Sequence, residues 1–150
     1  MSEKEEDYIK VIYQVSKEKG FARSIEIAEK LNVKPSSVTD MIKRLQEKGY
    51  VQYEKYRGIV ITPLGEKIAK KILHRGRVLK EFFKIFGVRD DNAMEIANKV
   101  EHYIDDDSFE RIEKFVMFVD SFKENPKWLE HFEYFIKTGI LPDCDRIDHR

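Results

Sequence analysis

Two short amphipathic segments separated by three residues constrain this chain more than any other feature. "SIEIAEKL" (24–31) places Ile27, Ala28 and Leu31 on one stripe, with Ser24 as the expected N-cap. "NVK" follows, and then "PSSVTDMIKRLQEKG" puts Val38, Met41, Ile42 and Leu45 on one face. Ser36, Thr39, Asp40, Lys43 and Glu47 fall on the opposite face. Pro35 suits a first helical turn and Gly49 a C-terminal cap. So short a connection forces the two helices into contact, and a polar free face on the second makes the pair a helix-turn-helix.

The period then changes. "YVQYEKYRGIVIT" alternates around a turn expected at Tyr56-Arg57-Gly58, with Val51 and Tyr53 on one arm and Ile59 and Ile61 on the other. Alone it is any small hairpin; directly after a helix-turn-helix it reads as a wing. A helix over 5–18, with Ile9, Ile12 and Tyr13 inward, precedes this module. A long helical pattern runs from "TPLGE" to Gly87 through Ile68, Ile72, Leu79, Phe82, Phe83 and Phe86. Two helices are expected near 90–104 and 107–122, and a last one opens at Asn125-Pro126 and aligns Trp128, Phe132 and Phe135. The expected fold is mainly α with a small β-hairpin wing. It divides into a winged helix-turn-helix domain, 1–75, and an all-helical dimerisation domain, 76–150. The aromatic stripes suit a core or a dimer interface.

Charge separates the same halves. Residues 1–75 carry 16 Lys+Arg against 11 Asp+Glu, a balance of +5, and residues 76–150 carry 12 against 17, a balance of −5. A basic half joined to an acidic one points to a polyanion partner for the first. Lys43, Arg44, Lys55 and Arg57 are placed to displace counterions from duplex DNA. Pro35, Ser36, Ser37 and Thr39 form the first turn of the recognition helix, where hydroxyls and backbone N–H groups can meet phosphate or base edges. The alternative for Ser36 and Ser37 is that they cap the helix. That turn holds no Arg or Gln for bidentate base contacts, so much of the preference is expected from DNA shape. One small module grips weakly, and a symmetric homodimer on a palindrome follows.

Several classes are disfavoured. One cysteine, Cys144, excludes an internal disulfide framework. No apolar run approaches a signal or membrane segment, so a cytoplasmic location without membrane contact is expected. No phosphate loop, nucleophile elbow or paired acid/base spacing marks an enzyme.

"ANKVEHYIDDD" (97–107) raises a separate possibility. Asn98, Glu101 and His102 stand at i, i+3 and i+4, one helical face offering an amide oxygen, a carboxylate and an imidazole. Those donors suit a divalent transition metal, and a surface charge pair is the alternative. Cys144 and His149 in the tail "PDCDRIDHR" read as a solvated terminus rather than a second site, and His131 as packing or surface.

"EDYIKVIY" (6–13), "VKPSSVTDMIKRL" (33–45), "YEKYRGIVITPLGEKIAKKI" (53–72) and "VEHY" (100–103) together resemble the diphtheria toxin repressor and manganese transport regulator family of metal-dependent repressors. The resemblance covers roughly residues 5–122 and is nearest the short form without an SH3-like domain. It implies a homodimeric winged-helix repressor of metal-uptake genes, controlled by Mn(II) or Fe(II). By position, Asp7 matches the first-helix ligand, and Glu101 with His102 match the family's Glu-His pair. Three positions depart. Lys10 stands where the manganese type has a glutamate, Gly76 where the family has a ligand histidine, and Asn98 where it has a glutamate or cysteine. His74 lies on nearly the opposite side of its helix from Gly76. These departures leave open a regulator that binds DNA without metal, or under another ligand or protein. A winged-helix module used only for protein contact is opposed by the basic wing and the hydroxyl-rich recognition helix.

Overall fold

Ser2 opens the first helix with a reciprocal cap. Its hydroxyl accepts from Glu5 N at 3.3 Å while its own N–H donates to Glu5 Oε2 at 2.9 Å. The computed structural model describes residues 1–143; the tail residues Cys144 and His149 lie outside them. The elements are α1 (Glu3–Ser16), α2 (Ser24–Leu31), α3 (Pro35–Glu47), β1 (Val51–Glu54), β2 (Gly58–Ile61), α4 (Pro63–Ile85), α5 (Asp90–Val100), α6 (Asp106–Asp120) and α7 (Lys127–Thr138). They form two units, Met1–Arg77 and Val78–Arg150, and α4 contributes to both.

In the first unit, the apolar stripes of α1, α2 and α3 meet the hairpin. Ile9, Ile12, Ile27, Val38, Leu45, Val51 and Ile59 lose essentially all solvent contact. Each such side chain contributes about 1.5–3 kcal/mol. β1 and β2 are antiparallel, pairing Val51 with Ile61 and Tyr53 with Ile59. Ala22 bridges to the other edge of β2, exchanging backbone hydrogen bonds with Ile59 at 2.8 and 2.9 Å. Gly58 permits this contact, since a Cβ there would lie 2.8 Å from Ala22 O. The turn of the wing is Lys55–Arg57, one residue earlier than expected, and Gly58 already belongs to β2.

The recognition helix is tied down at its far end. Lys48, its C-cap, donates from Nζ to Glu5 Oε1 at 2.7 Å, and Glu5 is buried on α1. That ammonium, with the Ser2 N–H, holds the Glu5 carboxyl below its ordinary pKa. Thr62 caps α4 by accepting from Gly65 N at 3.1 Å, and its hydroxyl lies 2.7 Å from Gly49 O.

In the second unit, Leu79, Ala97 and Phe109 form a buried centre flanked by Val78, Phe83, Val100, Ile104 and Ile112. Edge-on ring contacts join Phe82 to Phe86 and Phe115, and Phe86 to Phe132. Leu129 is the buried anchor of α7, while Trp128 and Phe135 stay over two-fifths exposed.

Several boundaries differ from expectation: α1 spans Glu3–Ser16 instead of 5–18, and α6 spans Asp106–Asp120 instead of 107–122. Arg23 is the N-cap of α2 and Ser24 its first residue; the Arg23 N–H donates to Glu26 Oε2 at 2.7 Å. Pro126, not Asn125, caps α7. α5 ends at Val100 instead of near 104, and a tight turn over 101–103 follows. Among the described residues no helix is long and apolar enough to cross a membrane.

Candidate DNA-binding surface and metal-ligand pair

α3 enters at Pro35, whose fixed φ suits a first helical position and whose missing N–H costs nothing there. Its N-cap is Lys34, which makes no side-chain capping bond. Ser36 and Ser37 are therefore the second and third helical residues and not caps, and both are exposed. Thr39 is exposed too, but its hydroxyl donates back to Pro35 O at 3.3 Å. Val38, Ile42 and Leu45 hold the opposite face in the core, so the exposed face of α3 is fixed in rotation.

Lys43 and Arg44 are exposed on α3, as expected. Arg44 also lines a cleft of ≈430 Å³ whose wall includes Lys4, Asp7, Ser37 and Asp40. On the wing, Lys55 and Arg57 are exposed; Arg57 pairs with Glu54 at 3.1 Å, and Lys55 Nζ lies 5.3 Å from the centre of the Tyr56 ring. A half-exposed pair of this kind is worth about 0–1 kcal/mol, so Arg57 gives little up by turning to a phosphate.

Asp7 lies on α1 with its side chain 40% exposed, and Lys10 Nζ is 3.4 Å from its Oδ1. The two residues stand one turn apart on the same helix. On the second unit, Glu101 is the C-cap of α5, with helical backbone angles and its N–H on Ala97 O at 3.0 Å. Glu101 and His102 have side chains only 3% and 6% exposed, with Oε1 and Nε2 3.7 Å apart. They are not the solvated surface pair considered above. Asn98 does not share their setting, being exposed on α5. Gly76 is buried and offers no donor, while His74 is exposed.

A buried carboxylate and imidazole, separated by more than a hydrogen bond, fit a divalent ion. Hard oxygens and one nitrogen are the donors that Mn(II), Fe(II) and Zn(II) accept. Withdrawal of the carboxylate from water also makes a compensating positive charge favourable.

Sequence reasoning missed three features around this surface. Glu5 and Lys48 are 43 positions apart, and no local pattern announces their pairing. Tyr53 and Tyr56 on the wing are 64% and 93% exposed, although aromatics suggest burial. Arg23 and Ser24 join Tyr53, Tyr56 and Arg57 around a second cleft of ≈280 Å³ at the base of the wing; the arginine and the helix start were the available signals.

The fold and its exposed polar helix define a winged-helix DNA-binding regulator with a helical second unit. Comparison with known proteins narrows this class. Residues 1–59 match the model of the iron-dependent repressor N-terminal DNA-binding domain, and residues 62–129 that of the iron-dependent repressor metal-binding and dimerisation domain. The HTH-type transcriptional regulator MntR of Shouchella clausii is 39% identical over 138 residues, covering 92% of this chain and 94% of its own. The regulator of the same name from Bacillus subtilis is 42% identical over 115 residues, covering 77% and 81%. Among solved structures, the manganese regulator SloR superposes with a TM-score of 0.69 at 29% identity, over 79% of this chain and 55% of that one. A manganese-dependent transcriptional repressor in complex with manganese gives 0.66 at 27%, over 76% and 53%. The chain belongs to the iron-dependent repressor family, the group of the diphtheria toxin repressor and the manganese transport regulator. It is a metal-responsive, DNA-binding transcriptional repressor that works as a homodimer on duplex DNA.

Proposed function

We propose that this repressor responds to Mn(II), acts in the cytoplasm on palindromic operators of metal-uptake genes, and works by binding alone, without catalysis. The observation that carries the proposal is the buried Glu101–His102 pair in a chain whose other half is a DNA-binding unit. Glu101 and His102 would hold the metal, with Asp7 as a further ligand by the family resemblance; Asn98, exposed and a departure from the family's donors, is left out of this set. A divalent ion there would supply positive charge to the withdrawn Glu101 carboxylate and favour one arrangement of its ligands. SloR is a manganese regulator and a second structural neighbour a manganese-dependent repressor in complex with manganese, and oxygen donors with a single imidazole suit that ion over a softer one.

The chain's own residues supply the grip on DNA. Lys43, Arg44, Lys55 and Arg57 neutralise phosphates; Pro35, Ser36, Ser37 and Thr39 place backbone and hydroxyl groups of the first turn of α3 at the groove. Two copies of α3 in a homodimer then address half-sites about 34 Å apart.

The test is a duplex isolated from a randomised library by the wild-type chain in Mn(II), titrated with protein in Mn(II) and in chelator. Mn(II) should tighten binding by about 5–150-fold, the usual range of such coupling. Glu101→Gln and His102→Ala should remove that response and weaken Mn(II) binding in calorimetry, with helical circular dichroism intact. Equal affinity in chelator and in Mn(II) would overturn the proposal.

A further inference from the structure

The recognition helix shares a cleft with α1. On α3, Ser37, Met41 and Arg44 stand at i, i+4 and i+7, and on α1 Lys4 and Tyr8 stand at i and i+4, so each set forms one flank of its helix. These flanks and the turn between α2 and α3 border the ≈430 Å³ cleft of the first unit, a volume in the range of small-molecule sites, about 300–1,000 Å³. Its wall is mostly apolar, supplied by Tyr8, Leu31, Val33 and Met41, and Val33 is left 37% exposed.

Polar groups without partners converge on this apolar wall. Tyr8 is only 7% exposed, yet its hydroxyl has no hydrogen-bond partner among the described residues, and its oxygen is not sealed from solvent. A buried phenol ordinarily finds a partner, and here the opening lies on the cleft. Burial pushes its pKa above the ordinary value, so the hydroxyl keeps its proton and donates. The charged ends of Lys4, Arg44 and Asp40 likewise form no ion pair among the described residues, although Asp40 and Arg44 are one turn apart on α3. Asp7, the fourth charge on the rim, already has Lys10 beside it at 3.4 Å. Two free cations, one free carboxylate and a phenolic donor around an apolar floor complement a molecule with a carboxylate, an ammonium and a hydrocarbon arm.

We propose that this cleft binds a small apolar zwitterion of the amino-acid class. Its carboxylate meets Arg44, Lys4 and the Tyr8 hydroxyl, its ammonium meets Asp40, and its side chain packs on Leu31, Val33 and Met41. On the reading of this unit as DNA-binding, the ligand also withdraws Arg44 and covers Ser37, so it and duplex DNA exclude one another. The repressor thereby answers to a second, organic signal beside the metal.

Methyl NMR spectra of the full-length protein, isotope-labelled at its methionines, read the site directly, because Met41 lines the cleft while Met94 and Met117 belong to the second unit. Among L-leucine, L-methionine and L-phenylalanine, at least one should shift Met41 saturably, with a Kd of about 1 mM or tighter, and leave Met94 and Met117 in place. Glycine lacks the arm, and the amide and the deaminated acid of that amino acid lack the carboxylate and the ammonium; each should bind at least about tenfold more weakly. Tyr8→Phe should weaken the amino acid about tenfold while Tm holds or rises, since the hydroxyl has no partner in the fold to lose. At ten times its Kd the amino acid should lower duplex affinity in Mn(II) about tenfold for wild type and about twofold for Tyr8→Phe. Glycine at the same concentration has the same chelating head and should leave duplex affinity unchanged. Failure of all three to move Met41, equal binding of the deaminated acid, or a fall in Tm of several degrees in Tyr8→Phe overturns the site. Saturable binding that leaves duplex affinity unchanged overturns the exclusion of DNA. A chain that binds no duplex at all sinks the DNA-binding reading alone, because the Met41 titration needs no DNA.

Discussion

Gly65 occupies the first turn of α4, where alanine is ordinarily the better residue by about 1 kcal/mol. Here the sign should reverse. A Cβ on Gly65 would lie 2.1 Å from the carbonyl oxygen of Tyr50 and 2.9 Å from Ile61 Cγ1. The first of these is backbone and cannot swing aside, so the contact must open by roughly 1 Å. Opening it disturbs the clamp between α4 and the end of α3. Thr62 N–H donates to Tyr50 O at 3.0 Å, and the Thr62 hydroxyl has Gly49 O at 2.7 Å and Tyr50 O at 3.1 Å. Two weakened hydrogen bonds cost about 0.5–1.5 kcal/mol each. Overpacking adds about 1–3 kcal/mol. After the helix-propensity gain, Gly65→Ala should destabilise by about 3 kcal/mol, a fall in Tm of roughly 6–12 °C. Urea unfolding followed by circular dichroism measures it. Gly49→Ala is the control: nothing lies within 4 Å of its Cβ and only the φ of +75° opposes it, so its loss should be about 1 kcal/mol. A Gly65→Ala protein as stable as wild type, or more so, would refute the reasoning.

Two other predictions concern charge. Lys43→Ala and Arg57→Ala should each weaken duplex affinity at low salt and reduce the magnitude of the log-affinity against log-salt slope by about 0.9, as fluorescence anisotropy across a salt series would show. Unchanged slopes would place both cations away from phosphate. Glu26 is held below its ordinary pKa of 4.5 first by the Lys19 ammonium and then by the Arg23 N–H. Its folded value is the depressed one, so its contribution is complete above about pH 4.5 and is lost as pH falls through the lower folded value. Glu26→Gln should accordingly narrow its stability gap to wild type below pH 4.5, and a gap that widens there would be the wrong sign.

Some of this molecule was open to reading from one strand of letters. The stripes Ile27–Ala28–Leu31 and Val38–Ile42–Leu45, Pro35 at the helix start and Gly49 past its end are local signals, and each element formed where they stood. The wing was visible as alternation, and its turn shifted by one residue because Tyr56 takes the left-handed position that the sequence offers more naturally to Gly58. In the second half, helical spacing grouped Asn98 with Glu101 and His102. The helix stops at Val100, and burial then separates the exposed amide from the withdrawn pair. Spacing sets direction on a helix; it does not say which direction is covered.

Residue order alone determined the helix-turn-helix, the hairpin after it, the aromatic helices and the Glu-His pair, because periodicity and capping act within a few residues of chain. Tertiary structure decided the rest. It chose which donors lost water, that Glu5 would anchor Lys48 across the first unit, that Gly65 would meet the Tyr50 carbonyl, and that Tyr56 would stand bare on the wing. Those outcomes depend on through-space distances between segments tens of residues apart, and such distances exist only once the chain has packed.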